Sequence, residues 1–166
     1  MTFRFILIIT VFSFLANLAG ARDYVRTYYD NGMISAEGWI EDNKKNGYWI
    51  TYSATGVKTT AGNYSNDLAS DYWYFYENNR VTKEGYFKNG AKNSWWTFYR
   101  TGGFKKIKKQ FKDDLLTGYV LYYKSRMLTK VEEYQRNQRL GQWSSYRAFK
   151  KDHPDFSLAT LNNRIR

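Results

Sequence analysis

The stretch Tyr52-Ser-Ala-Thr-Gly56-Val-Lys-Thr-Thr-Ala-Gly62-Asn-Tyr64-Ser-Asn66-Asp67-Leu-Ala-Ser-Asp71-Tyr72-Trp73-Tyr-Phe-Tyr76 decides the fold. Two segments rich in β-branched and aromatic residues flank Asn66-Asp67, a pair that tolerates the backbone angles of a tight turn, so the stretch predicts a β-hairpin. Ser53-Ala-Thr-Gly56 supplies a second turn at its start. In the second strand, alternation sends Tyr72, Tyr74 and Tyr76 to one face and Trp73 and Phe75 to the other.

The same unit recurs along the chain. Tyrosines return every 23 or 24 residues at Tyr29, Tyr52, Tyr76, Tyr99, Tyr123 and Tyr146. A series three residues earlier reads Trp49, Trp73, Trp96, Val120 and Trp143, and a third reads Ile40, Tyr64, Phe87, Phe111 and Tyr134. Inner turns recur as Asp42-Asn43, Asn66-Asp67, Asn89-Gly90 and Asp113-Asp114. Self-similarity at this period marks a repeat architecture. The expected fold is all-β: a single-layer, twisted antiparallel β-meander of about five hairpin repeats and about ten strands, roughly 45 Å long at the strand spacing of a sheet. No long amphipathic helix is legible to cover either face. The repeat domain is expected over residues 22–146, and residues 147–166, where the period is lost, are expected to form a short basic cap with a helix after Pro154.

Residues 1–21 have a different character. Arg4 precedes the apolar run Phe5 to Leu15, and Ala19-Gly20-Ala21 supplies a small-residue cleavage pattern, the form of a secretory signal. The expectation is export to a periplasm or the extracellular space after cleavage near Ala21. The chain has no cysteine, which excludes disulfides, thiol chemistry and thiolate metal sites. Its 26 basic and 15 acidic residues give a net charge of +11, which favours an anionic partner such as an acidic protein, an anionic lipid or a cell-wall glycan. Export makes nucleic acid the least favoured of these.

Catalytic machinery is hard to assemble from this inventory. The one histidine, His153, reads as a surface residue of the tail, and no Gly-x-Ser-x-Gly turn is present to display a serine. Asp113-Asp114 sits in a hairpin turn, and Glu132-Glu133 would face opposite sides of a strand rather than converge across a cleft. The turn acids lack the spacing of a calcium loop, and no phosphate-binding glycine loop occurs. The expectation is therefore a non-enzymatic protein with no cofactor and no metal site.

Two sets of residues are candidates for binding. Trp49, Trp73, Trp96 and Trp143 form a stripe along one side if the units stack in register, either as core or as a recognition row. Lys105, Lys106, Lys108 and Lys109 form the densest charge run. Alternation puts Lys106, Lys108 and Gln110 on one face, and Lys105, Ile107, Lys109 and Phe111 on the other, so the run cannot act as one flat patch.

The unit Gly-x-aromatic-x-x-Asn/Asp-x-x-x-x-Gly-x-Trp-x-x-Tyr-x-x-x-Gly resembles the MORN-type repeats, in particular the bacterial variant labelled a toxin-antitoxin antitoxin repeat. The match covers about residues 28–146 and is carried by Gly38, Gly47, Trp49, Tyr52, Gly56, Gly62, Trp73, Tyr76, Gly85, Trp96 and Tyr99. Lys109 and Glu132 depart from it at the strand glycine, Val120 at the tryptophan, and Asp71 and Ser94 at a second glycine, departures expected to interrupt regular curvature. The resemblance implies an extended curved sheet acting as a scaffold or as a neutraliser that works by contact. A weaker resemblance, in the repeated Trp-x-x-Tyr, is to cell-wall-binding repeats that hold choline between aromatic rings. A protein-binding scaffold or antitoxin-like neutraliser is thus expected, with an envelope-binding module for anionic lipid or wall glycan as the alternative.

Overall fold

The computed structural model describes residues 22–100 and 105–158. They form one open antiparallel sheet of eleven strands in sequence order. The strands are β1 (Arg22–Tyr28), β2 (Ile34–Glu41), β3 (Lys44–Tyr52), β4 (Lys58–Ser65), β5 (Leu68–Glu77), β6 (Arg80–Lys88), β7 (Ala91–Tyr99), β8 (Lys105–Lys112), β9 (Leu115–Lys124), β10 (Met127–Gln135) and β11 (Gln138–Trp143), followed by α1 (Tyr146–Asp152). The single-layer meander expected from the periodicity is the fold. It has eleven strands rather than ten because β1 precedes the first of the five hairpins, ending just before Tyr29. Ten strand spacings give a contour of about 48 Å. The expected leader, residues 1–21, lies outside the described residues. None of the described helices is long and apolar enough to cross a membrane.

The turn chemistry behaves as its residues dictate. Asp42-Asn43, Asn66-Asp67, Asn89-Gly90 and Asp113-Asp114 have φ of 50 and 60°, 49 and 65°, 50 and 80°, and 51 and 63°. Paired positive φ is the mirror-image turn whose twist matches antiparallel strands. Asn78-Asn79 and Arg136-Asn137 adopt it too. Neighbouring hairpin tips are also laced together. The backbone N–H of Asp114 donates to Lys92 O at 3.0 Å, while the Asp114 carboxylate accepts from the Lys92 N–H at 3.0 Å. Asp67 and Asn137 make the same reciprocal pair with Lys45 and Leu116. Asp67 and Asp114 are thus occupied in joining one unit to the next.

A one-layer sheet must bury its rings locally. Trp49, Trp73 and Trp96 do so, at 4, 5 and 0% exposure, by lying flat on the neighbouring strand over Gly38, Gly62 and Gly85. A Cβ at any of these glycines would stand 2.3 Å from the indole, so this position in the unit requires glycine. Each indole N–H donates to a carbonyl of that strand: Trp39 O at 2.8 Å, Asn63 O at 2.9 Å and Tyr86 O at 2.9 Å. Edge-on rings separate the indoles. Tyr64 stands between Trp49 and Trp73, and Phe87 between Trp73 and Trp96, with centroids 4.9 to 6.2 Å apart. Removing roughly 200 Å² of aromatic surface from water at about 25 cal/mol per Å² makes each tryptophan worth on the order of 5 kcal/mol before ordering costs.

Each of the first four hairpins carries a bulge with two extra residues on its second strand. Between the pairs Gly85↔Trp96 and Tyr86↔Asn93, for example, Ser94 and Trp95 have no partner on β6. The bulge places Gly47, Asp71, Ser94 and Gly118 at φ of 83, 58, 62 and 98°. Asp71 and Ser94, expected to interrupt the regular geometry, adopt the glycine conformation instead, at a cost of about 1 kcal/mol each.

The fifth hairpin differs. Between Glu133↔Gly141 and Tyr134↔Arg139 only Leu140 is unpaired. A one-residue change in register sends every following side chain to the opposite face. Trp143 therefore pairs with Val131 and leaves the row of Trp49, Trp73 and Trp96, correcting the expected stripe of four. It joins Leu121, Val131 and Phe149, the latter three fully buried, in a second core.

That core is closed by α1. The described helix lies before Pro154, where Ser145 caps its N-terminus by accepting the Ala148 N–H at 3.1 Å; the segment expected to be helical after Pro154 falls mostly outside the described residues. Lys150 then ties down the following segment through the carbonyls of Pro154 and Phe156. Phe149 and Phe156 stand on Tyr119, with centroids 5.2 and 5.0 Å away. His153 is packed rather than superficial: it stacks on Phe149 at 4.4 Å, with side-chain exposure of 24%.

Candidate functional site

The sheet has two unlike faces. One holds the tryptophan file. The other carries the alternate residues, and α1 covers only its end at β9 to β11. Over β3 to β7 this second face presents a shelf of Tyr48, Tyr72, Tyr74, Tyr76, Tyr86 and Tyr99. Tyr48 is 46% exposed and the others are half-buried. Strand alternation places them there, and edge contacts fix their rings. Tyr72 meets Tyr86 at 4.8 Å and Tyr74 at 5.1 Å, and Tyr74 lies 6.4 Å from Tyr76.

Glu84 stands among these rings. Its carboxylate accepts the Tyr99 hydroxyl at 2.6 Å. Two units earlier, Glu37 accepts the Tyr52 hydroxyl at 2.7 Å and the Arg26 guanidinium at 2.9 Å. The Tyr52 bond and then Arg26 hold Glu37 below the usual carboxylate range. Burial, reinforced by Glu37, pushes the Tyr52 phenol up to about 12. Burial first and Glu84 second raise Tyr72 and Tyr99. The shelf is thus a set of phenols around the Glu84 carboxyl group, suited to hydrogen bonding and ring contact. The sequence showed the alternation of Tyr72, Tyr74 and Tyr76, but the repeat spacing that aligns the tryptophans in one stripe drew the candidates from the other face.

The sequence candidates are dispersed. Trp49, Trp73 and Trp96 are interior. Trp143 belongs to the cap, where its N–H donates to the Asp152 carboxylate at 2.7 Å. Lys106 and Lys108 face the tyrosine side and Lys109 the tryptophan side, the split expected from alternation. Lys106 lies over Tyr123 at 5.0 Å, and Lys109 over Phe98 at 5.1 Å. Burial first, then the charge of Lys106, lowers the Lys108 ammonium. Lys105 belongs to β8 by its backbone, and its side chain lies outside the description.

Where Val120 replaces tryptophan, the tryptophan face changes character. Glu132, 3% exposed, takes the space and binds Lys130 at 2.7 Å and Arg139 at 3.3 Å. It also accepts the hydroxyls of Tyr122 at 2.6 Å and Tyr134 at 3.2 Å. Burial works to raise this carboxyl, but Lys130 and the two phenols outweigh it and leave it below its ordinary value. A depressed folded-state pKa contributes stability above the unfolded value, about 4.3, that is lost as pH falls through the folded one. Glu132→Gln is therefore expected to destabilise the protein at pH 7, with the deficit shrinking in acid. Urea midpoints of the two proteins at pH 7 and pH 3 check this.

Among the described residues, no group of three or more His, Cys, Asp or Glu side chains is placed to hold a metal ion. With this geometry the chain defines itself as an open β-meander repeat protein with one face of packed indoles and one of tyrosines. No protein-family model matches the chain, and no curated protein matches it.

Proposed function

We propose that this is an exported, non-enzymatic binding protein of the MORN-type repeat class. It presents its tyrosine shelf to a protein partner, as a scaffold or a contact neutraliser. What supports the reading is the divided tyrosine face. At one end the chain's own amphipathic α1 seats Phe149 among Tyr119, Leu121, Val131 and Trp143. The adjoining shelf has the same aromatic chemistry and no covering element among the described residues. An amphipathic segment with an aromatic anchor, like α1 itself, fits such a surface, where tyrosines bring contact area with little loss of side-chain entropy.

Affinity capture from envelope extracts of the source cells, with residues 22–166 as bait, tests the proposal. A stoichiometric protein captured by the wild type, but not by Tyr74→Glu with Tyr86→Glu, is the expected result. Equal capture by the variant, or recovery of lipid or wall polymer alone, would overturn it.

A further inference from the structure

The tryptophan face carries a row of lysines laid across its rings. Lys45 lies over Trp49 and Tyr64 at 4.7 and 5.0 Å, Lys83 over Phe75 at 4.4 Å, and Lys92 over Trp96 and Phe111 at 5.8 Å each. Lys109 over Phe98 and Lys130 over Tyr122, at 5.1 and 4.9 Å, continue it. Pairing shows that they share the face: Lys83 is opposite both Phe75 and Phe98, and Lys109 is opposite Trp96.

The carboxylates nearby are largely committed. Asp114 pairs with Lys92, and Glu132 with Lys130 and Arg139. Asp67 accepts the backbone N–H of Lys45, and Asp71 accepts the Ser70 hydroxyl at 3.4 Å. Glu84, next in sequence to Lys83, points to the opposite face. Lys83 and Lys109 thus have no carboxylate within 4.0 Å among the described residues, in a chain of net charge +11. They flank Phe98 on β6 and β8, strands about 10 Å apart.

We propose that this face is a second binding surface, for an extended acidic glycan that lays its carboxylates on Lys83 and Lys109. Charge complementarity selects a polyanion. Two further observations choose among polyanions. The indoles are buried, and Tyr64, Phe75, Phe98, Phe111 and Tyr122 lie under ammonium groups, so few rings of the lysine row are free for nucleic-acid bases to stack on. The ammoniums lie down on the rings rather than project, so they meet a narrow chain settling on the face better than a flat bilayer.

The test is titration calorimetry of residues 22–166 with polygalacturonate, neutral dextran, single-stranded DNA and phosphatidylglycerol vesicles. Polygalacturonate is expected to bind, weakening with salt, and dextran not to bind. Lys83→Gln with Lys109→Gln should lose about tenfold in affinity, the order expected for two screened charges. Lys106→Gln with Lys108→Gln, on the other face, should not. Arginine at 83 and 109 should restore binding, separating loss of charge from loss of packing. Equal loss in both glutamine pairs, no rescue by arginine, or tighter binding to DNA or vesicles would overturn the proposal. None of these outcomes bears on the tyrosine shelf, so the two proposals stand or fall separately.

Discussion

Trp96→Ala is expected to lower the unfolding free energy by about 4 kcal/mol, near the top of the range for truncating a buried aromatic residue. Three features add in this one side chain. Its ring is 0% exposed, its N–H donates to Tyr86 O at 2.9 Å, and Phe75, Phe87, Phe98 and Phe111 all contact it. Truncation leaves Gly85 with nothing above it and the carbonyl of Tyr86 without its side-chain donor. Because each unit of a repeat array touches only its neighbours, the damage falls on the middle of the sheet and should also reduce cooperativity. Denaturant unfolding, followed by circular dichroism and by the remaining tryptophans, reads both effects. A loss below about 1 kcal/mol would show the indole to be a surface group, contrary to its assignment as core.

Phe149→Ala should cost nearly as much, about 3 kcal/mol, but locally. Phe149 is the hub on which the cap closes: Tyr119, Trp143, His153 and Phe156 surround it at centroid distances of 5.2, 5.1, 4.4 and 4.8 Å. Without it α1, a helix of seven residues, has too few turns to persist unaided. Hydrogen exchange should rise across β9 to β11 and stay unchanged in β3 to β5. Uniform acceleration through all strands would contradict the division into two separate cores.

The sequence made the meander legible because its signal is redundant. The units share a tyrosine and a tight turn at the same spacing, and three of them place a glycine beneath an indole. What it concealed depends on pairing. Gly141 occupies the place of Gly47 and Gly118 in its unit, and Trp143 the place of Trp96, so the letters predict another copy of the bulge. The structure drops one of the two extra residues there, and the whole strand turns over. Asp71 and Ser94 err in the opposite direction, as non-glycine residues held in the glycine conformation by the strands on either side. His153 looked superficial because a charged tail surrounds it in sequence, whereas Phe149, one helical turn earlier, carries it into the cap.

The binding surface was half legible for a related reason. Alternation separates tyrosines from tryptophans in any strand of this composition, but it does not say which face finds a cover. The indoles find one in the glycines of the next strand, which requires the register. The tyrosines, one residue out of phase, have no glycine beneath them and remain open wherever α1 does not reach.

Site-specific photocrosslinking in the source cells tests the central claim most directly, with the photoreactive residue placed at Tyr74 on the open shelf and, separately, at Lys83 on the tryptophan face. A single protein adduct from position 74 and none from position 83 is the predicted result. A protein adduct from position 83 alone, or none from either, would contradict it.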